Sequence, residues 1–457
     1  MTLPPPLVLA DAEDPALRDL RRRLGERVDV VVADPAGYAT LVHRVAAALG
    51  AGRPIRVHRS PGAPAERREL LGRLIEEARA LHGATVGTLL SRGDEWLGNI
   101  VAAAPRLVEL PSVTSLDGRL AGRPALVVGA GPSLESLAPV LPLLATRCTV
   151  LAAASALLPL ARLGIEADVA VLIEGRDRRD QLRAAPDPRR TLLVVAHQGH
   201  PAHLDPRFRA LLRLDAAENG WFVRLVSPPA APVPTGGNVG TTALRLALAW
   251  GADPVILAGL DFAWPAGRAS HAEGAASPPA GAEHGAFLEV PGTGGHPVRT
   301  TALLASYRAN TEATLREFAG RVVINPVRPG AARIAGTREE DPADVAANLP
   351  VASPGPPPAP PSPGRPSPER LRTALAGLAD DLSGVAEEAG RLLQAGAGPE
   401  TLRARLGTML AAHPASFPAA VLRGPLLAPG RDPRETVPAR LAAAVDWLRR
   451  LAEGLLP

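Results

Sequence analysis

The sequence predicts an α/β protein: a central Rossmann-like α/β domain, a smaller α/β domain before it and a helical tail after it. Three observations carry this. Short uncharged runs of Val, Leu, Ile and Ala alternate with amphipathic stretches, which favours parallel strands joined by helices. A Pro-rich segment near residue 350 breaks the alternation, and past it apolar residues recur at spacings of three and four. The length, 457 residues, suits about three domains.

Taken in order, Leu7-Val8-Leu9-Ala10, residues 28–32 and Ile55-Arg56-Val57-His58 read as strands, with helices over 14–24 and 65–81. Residues 1–83 are therefore expected to form the N-terminal α/β domain, and 84–120 a helical connector. A second unit, 121–340, opens on the buried-strand run Ala125-Leu126-Val127-Val128 and continues through strands at 149–151, 169–173, 192–195 and 255–257. Between 350 and 368 prolines remove amide donors and little can be buried, so a disordered or polyproline linker follows. In the last segment, 369–457, Leu371, Leu375, Leu378, Leu382, Val385, Ala389 and Leu392 share one helix face, and further helices are expected over 400–412 and 435–455.

Composition excludes several chemistries. All 50 cationic residues are arginine, so neither a P-loop lysine nor a Schiff-base lysine is available. The isoelectric point of 10.2 reports guanidinium groups, while the net charge of +4 gives no argument for nucleic acid. Cys148 is the single cysteine, which rules out an intrachain disulfide framework and fits a reducing compartment. The first fifteen residues lack a basic n-region, and the longest helix-compatible uncharged stretch, between Arg147 and Arg162, has 14 residues, short of the ~20 that span a bilayer. A cytoplasmic protein without a membrane segment is expected.

The chemistry gathers around two glycine-rich bends. Gly129-Ala130-Gly131-Pro132-Ser133 follows a strand and precedes a helical stretch, where close backbone approach and a helix start suit an anion. Tight turning alone is the competing reading, and the missing third glycine disfavours NAD. The second bend, Gly236-Gly237-Asn238, also precedes a helical run. Asp261 lies just beyond a strand's carboxyl end, where open α/β sheets bind ligands, and His271 follows ten residues later as a candidate base near neutral pH. Turn capping and a surface-loop histidine are the alternatives. His197, His200 and His203 repeat at spacing three, but Gly199 and Pro201 deny them one helix, so no metal is expected there. Glu283, His284 and His296 lie in a Gly-rich stretch expected to act as a flap, and Tyr307 opens a helical run where packing competes with phosphate contact.

Six motifs in order, G-A-G-P-S-L (129–134), L-G-I-E-A-D-V-A-V (163–171), G-G-N-V-G-T-T-A (236–243), L-A-G-L-D-F-A (257–263), H-A-E-G (271–274) and I-N-P-V-R-P-G-A-A-R-I-A-G-T (324–337), give the chain a specific resemblance. It resembles the motility-associated factor (Maf) glycosyltransferases and the MptE-like hydroxymethylpterin pyrophosphokinases that share their central domain. The match covers about 215 residues, and Trp96 and Asn99 before it resemble the Maf connector. The resemblance implies a sialyltransferase-like catalytic domain, a CMP-activated nonulosonic acid as donor, and a Ser or Thr of flagellin as acceptor. No cofactor is then required. Gly129, Gly131, Pro132 and Ser133 would cradle the donor nucleotide, Gly236, Gly237 and Asn238 would line the same pocket, Asp261 would orient hydroxyls, and His271 would be the base.

Two departures bear on the donor. Ile173-Glu174-Gly175 carries a longer carboxylate than the Asp frequent in relatives, which shifts any hydroxyl contact by Glu174. Arg328 replaces an acidic step, either as a pocket cation for a carboxylate or phosphate or as an exposed surface residue. The alternative enzyme, the pyrophosphokinase, would need Mg²⁺ held by carboxylates such as Glu174 and Asp261. A flagellin-binding assembly factor without catalysis is the third reading.

Overall fold

The computed structural model describes residues 6–33, 41–42, 45–46, 48–49, 55–226, 232–264, 271–273, 275, 287–350, 356–361, 366–412, 416–427 and 431–456. The chain divides into two compact units, Met1–Glu95 with Arg372–Glu453, and Trp96–Leu371 with Gly454–Pro457. Among the described residues no helix is long and apolar enough to cross a membrane.

In the first unit β1 (Leu7–Ala10), β2 (Asp29–Val32) and β3 (Ile55–His58) form a parallel sheet in the order β2-β1-β3. Leu7, Leu9 and Val31 bury one face against Leu70, Leu71 and Leu74. The helix Pro15–Leu24 starts where Asp14 accepts the Leu17 N–H at 2.7 Å, and the other Asp14 oxygen lies 2.7 Å from His58 Nε2. The helix expected to end near 81 continues as one element, Ala65–Leu107, through the expected connector. Its glycines only weaken helix by about 1 kcal/mol each, and its single proline, Pro105, comes in the last turn. The C-terminal part contains the helices Pro368–Gln394, Pro399–Ala412, Phe417–Leu427 and Pro433–Leu455, of which Phe417–Leu427 was not foreseeable from its internal Pro425. Leu371, Leu375, Leu378, Leu382, Val385 and Ala389 are the buried stripe, while Leu392 is half-buried.

The second unit is built on seven parallel strands: β4 (Ala125–Val128), β5 (Thr149–Ala153), β6 (Val169–Leu172), β7 (Leu192–Ala196), β8 (Ala210–Leu214), β9 (Val255–Ala258) and β12 (Val323–Ile324). Their order is β12-β9-β4-β5-β6-β7-β8. Every residue of β4, β5, β6, β7 and β9 is buried, which is why these strands read as continuous apolar runs. Strand β8 hid itself: its Arg213 is buried, paired to Asp215 at 2.6 Å and donating to the carbonyls of Leu107 and Leu110. A hairpin, β10 (Phe287–Pro291) with β11 (Pro297–Thr301), stands outside this sheet. In the linker, residues 356–361 are irregular, and Pro357 is buried with its carbonyl accepting Arg209 at 2.9 Å.

From β4 the sheet is laid down in one direction through β8, then resumes on the other flank with β9. The reversal falls between β4 and β9, and crevices at such points, outside the carboxyl ends, are where open α/β sheets take ligands.

Candidate functional site

The loops leaving β4 and β9 are pressed together. A Cβ on Gly129 would lie 2.5 Å from the Gly259 carbonyl oxygen, and one on Gly131 would lie 2.6 Å from the same atom. Gly259 is itself left-handed, at φ +66°. Hydrogen bonds close the contact: the amides of Gly129 and Gly131 donate to the carbonyls of Ala258 and Gly259, both at 2.8 Å. The Ser133 amide donates to Asp261 Oδ2 at 2.8 Å, and Pro132 has no N–H to offer. In place of the phosphate cradle expected at residues 129–133, the loop spends these amides on its neighbour. The helix behind it, Leu134–Leu137, is a single turn with little dipole to contribute.

Asp261 is turned inward rather than toward a ligand hydroxyl. Its side chain is 2% exposed and accepts both the Ser133 amide and the Ser133 hydroxyl. Arg328 is neither a surface residue nor a free pocket cation, because its side chain is 1% exposed and committed on every nitrogen. Nε donates to Ser133 Oγ at 2.8 Å, and Nη1 donates to Asn325 Oδ1 at 2.6 Å and the Pro326 carbonyl at 2.8 Å. Nη2 reaches Asp261 Oδ1 and the Leu260 carbonyl, each at 3.4 Å. Burial pushes the guanidinium's pKa down, and the Asp261 charge and hydrogen bond offset that only in part.

The second bend leads into a helix whose first turn packs on Leu260. Gly236 and Gly237 are left-handed, at φ +65° and +77°, and Asn238 caps the helix Val239–Ala249 by accepting the Thr241 N–H at 2.8 Å. Asn310, on the helix Ala302–Glu317, donates to the Gly236 carbonyl at 2.9 Å, and Thr311 bonds Thr241 at 2.6 Å. A Cβ on Gly237 would lie 3.0 Å from the Tyr307 ring, and one on Gly240 would lie 3.2 Å from Leu260 Cγ. The first bend thus abuts Gly259 and Asp261, and the first turn of the helix after the second bend abuts Leu260 through Gly240. The first-turn amides of Val239 and Gly240 have no acceptor within this eleven-residue helix, and a helix start of this kind favours an anion.

His271 is half-buried, and its neighbour Ala272 donates to the Ala130 carbonyl at 2.7 Å, which hangs the His271 segment on the first bend. Burial pulls the imidazole below its ordinary value, with the Asp261 charge partly offsetting it, so the ring is neutral at pH 7 and can accept a proton.

Glu174 is not brought to Asp261. It follows β6, three strand spacings or about 14 Å from β9. One oxygen accepts the Arg176 amide at 3.3 Å, and its carbonyl accepts the His200 amide. A single Mg²⁺ held jointly by Glu174 and Asp261 does not fit, since Asp261 is sealed from solvent and already engaged by Ser133 and Arg328.

Of the three spaced histidines, His197 is fully buried and stacks on Phe222, whereas His200 and His203 approach Asp177, with ligand-type atoms within 4.8 Å of one another. Sequence reasoning missed Asp177 because it arrives from the loop after a different strand. The Arg178 amide donates to His203 Nε2 at 2.9 Å and the Ala202 amide to His200 Nδ1 at 3.2 Å. The hydrogen of a neutral His203 ring is therefore on Nδ1, the atom a cation would need bare, and Nδ1 is buried with no hydrogen-bond partner among the described residues. Asn99 donates to the carbonyls of Gly175 and Gln198 at 2.8 and 3.2 Å, joining the loops after β6 and β7. His296 is exposed in the β10–β11 hairpin, and Glu283 and His284 lie outside the described residues.

Comparison with known proteins bears on this geometry. Residues 98–267 match the family described as 6-hydroxymethylpterin diphosphokinase MptE-like. The solved structure of the MAf glycosyltransferase from Magnetospirillum magneticum AMB-1 is 15% identical, with 96% of this chain and 70% of that chain covered and a TM-score of 0.56. No curated protein sequence matches the chain.

Proposed function

We propose, from an MptE-like domain carried on the fold of a Maf glycosyltransferase, that this chain is a glycosyltransferase using a CMP-activated nonulosonic acid as donor and a Ser or Thr hydroxyl of flagellin as acceptor. The observation that carries the reading is likeness of fold over nearly the whole chain, first unit and helical tail included, beyond the MptE-like segment. The crevice supplies what the chemistry asks for. The Val239 and Gly240 amides hold the donor phosphate, with Gly236, Gly237 and Asn238 shaping the bend around it. The loop Gly129–Ser133 with Asp261 is the rigid floor.

As the bond between the anomeric carbon and the phosphate oxygen breaks, its electron pair leaves with CMP and the sugar passes through an oxocarbenium-like state. The acceptor oxygen bonds the anomeric carbon and gives its proton to neutral His271. Orientation and electrostatic stabilisation of the departing phosphate supply most of the rate.

The family description favours a second reading, transfer of diphosphate from ATP to a hydroxymethyl pterin. Incubating the protein with CMP-nonulosonic acid and flagellin, and separately with ATP, Mg²⁺ and the pterin, separates the two. Release of CMP with a matching mass gain on flagellin supports the transferase, and release of AMP supports the diphosphokinase. Flagellin retained without either product supports a binding protein.

A further inference from the structure

We propose that Asp261 and Arg328 are positioning residues for His271: a buried, mutually neutralising pair that locks the first glycine bend, from which the His271 segment hangs. The role given to His271 rests on the transferase reading; the lock itself does not.

The pair is sealed from solvent, with side-chain exposures of 2% and 1%, so neither group is placed to touch a ligand. Each is engaged in several directions. Asp261 takes both donors of Ser133, and Arg328 reaches Ser133, Asn325, Pro326, Leu260 and Asp261. The backbone repeats the connection: the Ala332 amide donates to the Asp261 carbonyl at 2.8 Å, and Thr293 Oγ1 donates to the Arg328 carbonyl at 2.6 Å. Four segments remote in sequence, around 131, 260, 293 and 328, are thereby fixed as one body. Through the Ala272 to Ala130 bond, this body sets where His271 stands. Breaking either half leaves an uncompensated buried charge, which the remaining groups must bear.

The charges around His271 make the idea testable without substrate. Asp261 acts on it from the end of β9, with Arg328 behind, and on its own loop Glu273 lies 3.6 Å from Arg162. Within a neutral pair, losing one member exposes the field of the other. The experiment follows the imidazole Cε1–H resonances of histidine-labelled protein against pH, with His271 assigned by its disappearance in His271→Gln. In Arg328→Met the bare carboxylate should raise the His271 midpoint, in Asp261→Asn the bare guanidinium should lower it, each by roughly half a unit or more. The double variant should return near the parent value, and Ser133→Ala, which removes no charge, should move it least. Single variants shifting the midpoint in the same direction, or not at all, overturn the proposal. If Arg328→Met does not fold, Asp261→Asn decides alone: a fall supports the proposal, and no change or a rise overturns it. These outcomes hold whether or not the chain releases CMP.

Discussion

Replacing Gly259 with Ala tests the close approach of the two strand-end loops. At φ +66° an added Cβ meets two costs. The left-handed backbone costs a non-glycine residue about 1–2 kcal/mol. The Cβ would also press on the Gly129 carbonyl oxygen and stand 2.9 Å from Leu134 Cγ, both held in a packed interior, an overpacking cost of about 1–3 kcal/mol. The expected loss is therefore ~2–5 kcal/mol, a large share of the ~5–15 kcal/mol that holds a typical domain folded. Gly122 provides the control, because at φ +69° a Cβ there meets nothing within 4 Å and only the backbone cost applies. Four of the five tryptophans lie in the second unit, so urea unfolding followed by tryptophan fluorescence reports mainly on it. Gly259→Ala should lower the midpoint clearly more than Gly122→Ala. Equal shifts would show that the loops have room to part, and the account of a rigid floor would fail.

Acid should weaken the second unit before its carboxylates protonate. Burial holds His197 neutral down to about 4 and does the same to His203, while the unfolded rings protonate near 6.5. The unfolded state thus binds more protons between those values, so stability is full above pH 6.5 and falls as pH drops toward 4, by ~3 kcal/mol for His197. Urea midpoints across that range should show a shallower slope in His197→Phe, and an unchanged slope would refute the assignment. Cys148 is buried, with its thiol pushed up to about 12, so a thiol reagent at pH 8 should label it only after denaturation; stoichiometric labelling of native protein would contradict its placement.

Much of the architecture was legible because it is written locally. Val169-Ala170-Val171-Leu172 is apolar throughout since both faces of its strand are covered, and the Leu371 to Ala389 stripe follows helical spacing. Partnerships made over long separations were not legible. Asp261 and Ser133 are 128 positions apart, Arg328 and Ser133 are 195 apart, and nothing near either residue states that they meet. Read alone, a carboxylate at a strand end suggests a ligand, and an arginine before a proline suggests a surface. Buried together they become framework. The same limit hid β8, where Arg213 breaks an apolar run that its pairing with Asp215 makes affordable in the interior.

The central claim is that the start of the helix Val239–Ala249, rather than the first glycine bend, receives the donor's phosphate. Hydrogen–deuterium exchange with and without saturating CMP measures this directly. The account predicts slower exchange over residues 236–243, with the amides of Gly129, Gly131 and Ser133 unchanged because they already donate within the protein. Protection confined to 129–133, or no protection at 236–243 with CMP bound, would contradict it.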